Sequence, residues 1–180
     1  MRKFLLYSSA FTVLIVIIGI IVIFDVFDFS RGKSQLIGSS YNTDNQIETH
    51  NKIVGYVHNI GNTIKNIHSV YYNMQTSADL AFFVESIENL KNQRKTFENY
   101  MQQIYSQNIE KDIKNTFNKD YLPAVKDFEN QCFNASVFFK QQGFSDKHRK
   151  LFESTLSQKY FEFIEKHNLY SSTLNKNRRY

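Results

Sequence analysis

Between Gly61 and Pro123 the chain holds neither glycine nor proline, and through that stretch apolar residues return every three or four positions. A period near 3.5 is that of an amphipathic helix packed on another helix, whereas a half-buried strand alternates every two. Ile53, Val57, Ile60, Ile64, Ile67, Tyr71 and Met74 make the first stripe, with His50 one step earlier. A strand over Ile53 to Ile60 would leave this longer pattern unexplained. Gly55 and Gly61 lie off the stripe and weaken the first half of the helix.

A second stripe runs through Leu80, Phe83, Ile87, Leu90, Arg94, Phe97, Met101 and Ile104. Continued forward, the first stripe would fall on Ala78, Ala81 and Glu85, so the two differ in phase by two residues. That break places a turn around Gln75 to Asp79, with Thr76 or Ser77 as the N-cap of the next helix. From Ser106 to Lys119 the pattern loosens, leaving Ile109, Ile113 and Phe117 at spacings of four. Pro123 then suits a helix start, where its missing N–H costs nothing. Tyr121, Val125, Phe128, Cys132, Ala135 and Phe139 form a third stripe, which Gly143 stops. Ser145 caps a fourth helix carrying Phe152, Leu156, Tyr160, Phe163, Ile164, His167 and Tyr170. The fold expected is all-α, an up-down bundle of about four helices over residues 46–172. The alternative is an elongated helical hairpin or coiled coil, since a long discontinuous helix also fits the glycine- and proline-free stretch.

Ahead of this domain, Phe4 to Phe24 is uncharged and mostly apolar, with Arg2 and Lys3 directly before it. Such a run spans about 30 Å as a helix, the thickness of a bilayer core. It exceeds the short apolar core of a cleaved signal peptide, and no Ala-x-Ala pattern follows it. Residues 1–29 therefore read as an uncleaved signal anchor, a single transmembrane helix, and residues 30–45 as a Gly/Ser-containing linker. Residues 173–180 read as a basic tail, whose end from Asn175 to Tyr180 frays. Arg31 and Lys33 nearly balance Arg2 and Lys3, but the latter abut the span and favour an N-in topology with the domain outside the cytoplasm. Abundant Asn, Lys, Ile, Phe and Tyr suggest an AT-rich genome and a bacterial inner membrane.

The chain carries 22 basic and 17 acidic residues; setting aside residues 1–33 leaves 18 and 15, a net charge of +3. These charges are interleaved, which disfavours a nucleic-acid partner. A single cysteine, Cys132, excludes an internal disulfide or a multi-cysteine metal site. Its place on the third stripe makes it a buried thiol.

Sequence motifs propose no catalytic, cofactor or metal residues. His50, His58 and His68 lie roughly 12 and 15 Å apart along one helix, too far to share an ion. Glu-x-x-His and His-Glu-x-x-His are absent. Arg94 stands out because it occupies a seam position among Leu and Phe. It must snorkel, find a carboxylate such as Asp127 or Glu129, or bind a ligand. Lys147, Arg149 and Lys150, with His148, cluster at the start of the fourth helix, where positive charge opposes the helix dipole. They can contact an anion or an acidic partner, or be a solvated face in which Arg149 reaches Glu153. The function expected is non-enzymatic: a single-pass membrane protein whose helical domain binds protein partners, or a second copy of itself, in an envelope assembly. The alternatives are a ligand-sensing bundle with a separate signalling partner and a cytosol-facing membrane-tethered scaffold.

Overall fold

A computed structural model describes residues 41–105 and 109–177, and these residues are helical throughout apart from short turns. The expected anchor and the first part of the expected linker lie outside them. No helix of the described residues is long and apolar enough to cross a membrane.

Helix α1 is Tyr41–Asn73, α2 is Ser77–Ile104, α3 is Lys111–Thr116, α4 is Leu122–Gln142 and α5 is Asp146–Lys176; a π-helical segment, Phe117–Tyr121, joins α3 to α4. The two halves of the third rod are continuous, so four rods form the bundle. Tyr56 stacks on Phe97 and Tyr71 meets Phe83, which makes α1 and α2 antiparallel. Phe128 meets Tyr160 while Phe138 meets Phe152, so α4 and α5 are antiparallel as well. α2 also packs on α4, and α5 returns to α1, closing an up-down ring.

The stripes point into this ring. Every member of the first and third stripes is buried, from Ile53 to Met74 and from Tyr121 to Phe139. The core is built mainly from Ile and Phe, with Leu and Tyr, and burying each large aliphatic or aromatic side chain stabilises by about 1.5–3 kcal/mol.

The turns follow local chemistry. Thr76 makes a full capping box, its hydroxyl accepting from the Asp79 N–H while the Asp79 carboxylate accepts from the Thr76 N–H. Gly143 ends α4 with φ 77°, a conformation that a Cβ resists. Ser145 caps α5 by accepting from the His148 N–H.

Three boundaries differ from the sequence reading. Residues 41–45, expected in the linker, already belong to α1. The last rod takes in 173–176 of the expected tail and runs through Lys176, because Leu174 is a core residue that secures its final turn. The third rod starts at Lys111, well before Pro123. Between them the Leu122 N–H bonds to the Phe117 carbonyl five residues back. In an α-helix the ring of Pro123 would press on the Lys119 carbonyl; one wide turn relieves that conflict and keeps the rod unbroken.

Candidate functional site

Arg94 is the centre of a charged array between α2 and α4. Its Nε donates to Glu129 Oε2 at 2.6 Å, its Nη2 to Glu129 Oε1 at 3.1 Å and its Nη1 to Glu98 Oε2 at 3.1 Å. Lys126 then closes on the other oxygen of Glu98 at 2.9 Å. Glu129 is thus the partner, and Asp127, the other candidate, turns to Lys159 instead. The Arg94 and Glu129 side chains are only 11% and 9% exposed, so this is a desolvated, bidentate pair. Glu129 holds the guanidinium above its ordinary range. Two acids and two bases cancel, which leaves Arg94 no unmet demand for an outside anion.

The basic cluster at the start of α5 is also answered from within. Arg149 reaches Asp146 at 2.6 Å, and Lys150 reaches its other oxygen at 3.1 Å. The expected Arg149–Glu153 contact is replaced by this one. Asp146, in the first turn, also suits the positive helix end, so one carboxylate answers both cations and the dipole. The Arg149 carbonyl accepts from the Tyr71 hydroxyl of α1. Lys147 is exposed. The structure therefore does not bring Arg94, on the α2–α4 face, together with Lys147, Arg149 and Lys150 in one site.

Cys132 is wholly buried, and burial, with the nearby Glu129 charge, raises its thiol well above the ordinary range. A thiol so held is a poor nucleophile and cannot reach another chain. Among the described residues no group of three His, Cys, Asp or Glu is placed to hold a metal ion.

A different set of polar groups gathers beside the π-helical segment. Tyr121 lies 4.9 Å from Tyr170 and 6.1 Å from His167 between ring centroids. The two hydroxyls and the His167 Nδ1 are buried without a hydrogen-bond partner among the described residues. Each such group costs about 1–3 kcal/mol. Burial keeps both phenols neutral by raising them, and lowers the His167 imidazole, to which Lys65 and His58 add a smaller push.

His167 sits here because α1 offers Gly61. A Cβ at that position would lie 2.7 Å from His167 Cε1, so the glycine is a seat for the ring rather than a mere weak point of the helix. One layer along, His68 of α1 stacks on Tyr160 of α5 at 3.8 Å and 14°, and burial lowers its imidazole too. The sequence puts His167 on the fourth stripe and leaves His68 off the first. The signal for the contact is the pairing of an off-stripe glycine with a histidine on a distant stripe.

No family model, no curated protein and no solved structure matches this chain.

Proposed function

We propose that this is a membrane-anchored, non-enzymatic protein whose helical domain, outside the cytoplasm, docks other proteins in a bacterial envelope assembly. The membrane half of the reading rests on the uncharged run Phe4 to Phe24 behind Arg2 and Lys3. The docking half rests on one observation. Phe82, Phe133, Leu151 and Phe161 are each half or more exposed, although the core beneath them is closed. Aromatic side chains are favoured at interface centres, and large exposed ones on several faces give partners a hold. Arg94 gives the ligand-sensing alternative no anchor, since Glu129 and Glu98 already occupy its guanidinium.

Two measurements test the reading. A cysteine at Ser39 in a Cys132→Ala background labels with a membrane-impermeant reagent in intact cells if the domain is outside. Labelling only after lysis reverses the topology and favours the cytosol-facing scaffold. Photo-crosslinking residues at positions 82, 133 and 161 capture a defined protein, or a second copy of the chain, whereas the same probe at exposed Lys95 does not. Equal or absent capture at all four positions removes the docking surface.

A further inference from the structure

Two of the five histidines, His68 and His167, sit at the same joint, where α1 packs on α5. His68 reaches across from α1 to lie flat on Tyr160, and Tyr72 flanks it. His167 reaches back from α5 to the Cα of Gly61, between Tyr121 and Phe163. Beside these two rings no ion pair joins α1 to α5 among the described residues. The hydrogen bonds across the joint are neutral, from the Tyr71 hydroxyl to the Arg149 carbonyl and from the Tyr72 hydroxyl to Ser157 and the Glu153 carbonyl.

We propose that the α1–α5 joint is acid-sensitive: protonation of His68 and His167 loosens α1 from α5 while the α2–α4 joint stays closed.

The groups facing each ring decide the direction. His167 meets Lys65 and His58 from α1, both of which oppose a further positive charge. From the π-helical segment it meets the neutral Tyr121, and the neighbouring Asp120 is held by Lys166 at 3.7 Å. In the imidazolium its buried Nδ1 carries an N–H with no acceptor among the described residues. His68 meets Tyr160 from α5 and Tyr72 from its own helix, and burial alone acts on it. No carboxylate is among the groups acting on either ring. An imidazolium over the Tyr160 face regains some energy by cation–π attraction, so His167 carries the larger share.

Both imidazoles are lowered in the folded chain, so the unfolded or opened state binds protons first. The stability they contribute is complete above the unfolded value of about 6.5 and declines as the pH falls below it. Between pH 7.5 and 5.5 each histidine can weaken the joint by at most about tenfold, the ratio of unfolded-state protonation across that interval. The Arg94 guanidinium, held above its ordinary range by Glu129, stays charged throughout.

Hydrogen-exchange protection of the full-length chain in mild detergent, referred to random-coil rates at each pH, tests this. Between pH 7.5 and 5.5, amides of α1 near Gly61–Tyr71 and of α5 near Leu156–His167 should lose protection by up to about a hundredfold, the product of two such steps. Those around Arg94 and Glu129 should hold theirs. His167→Gln should remove most of the loss, His68→Phe a smaller part, and the double variant nearly all of it. The single variants keep the test open if the double one does not fold. A wild-type chain with no loss overturns the proposal, as does an equal loss in His167→Gln. A loss spread evenly over all four rods also overturns it, because the histidines would then govern global stability rather than one joint.

Discussion

Where α2 faces α4, four full charges alternate, with Arg94 and Lys126 against Glu98 and Glu129. Where α1 faces α5, the polar contacts are imidazoles, phenols, a serine and backbone carbonyls. Both are seams between antiparallel helices of one bundle, yet they resist different insults. The first fixes register through a bidentate pair that tolerates no shift along the axis. The second fixes it through shape, a ring on a glycine and a ring on a ring. Charge specifies a mate at some cost in desolvation, while shape is cheap but depends on the rings remaining neutral.

The largest expected effect lies in the charged seam. Glu129→Ala leaves Arg94 in a nearly closed site with only the partly exposed Glu98, and should cost about 3 kcal/mol in urea unfolding. Replacing both Arg94 and Glu129 with leucine should recover most of that loss. If the double replacement is as damaged as the single, the pair contributes more than the cost of an unpaired charge.

The shape-based seam should show a reversal of sign. Gly61→Ala forces the His167 ring to move and should destabilise the chain by roughly 1–2 kcal/mol, a typical overpacking cost. In a His167→Ala background the ring is gone, and the same Gly61→Ala change should stabilise by about 1 kcal/mol through helix propensity. A thermal-melting double-mutant cycle reads both. The same sign in both backgrounds would mean that Gly61 is not the seat of the ring.

The smallest effect concerns the unpartnered hydroxyls. Tyr170→Phe removes a buried hydroxyl with no partner among the described residues and should leave stability unchanged or raise it by about 1 kcal/mol. A loss instead would show that the hydroxyl is satisfied by a molecule bound in the folded state.

Much of this was legible beforehand for a local reason. The stripes of α1 and α4 were read residue by residue, because an apolar period of three and four survives without knowledge of any neighbour. Thr76, Gly143 and Ser145 were readable because caps act within one turn. The π-helical segment leaves a trace in the sequence: Ile109, Ile113, Phe117, Tyr121 and Val125 are each four apart. An α-helix drifts about 40° per such step, and one wide turn resets the face. The extension of α5 past 173 was hidden because a single Leu174 among polar residues carries no period.

Local chemistry along the chain makes the region helical, sets where most helices begin and end and chooses which face of each is buried, since propensity, capping and amphipathic period act over a few residues. The assembled bundle selects Glu129 rather than Asp127 for Arg94, gives Asp146 both Arg149 and Lys150, and rests His167 on Gly61. The Arg94 and His167 contacts join distant parts of the chain and depend on the rotation and axial offset of whole helices, which the entire core sets at once. The Asp146 contacts lie within one turn, but Arg149 had a second acid, Glu153, within helical reach, and side-chain packing made the choice.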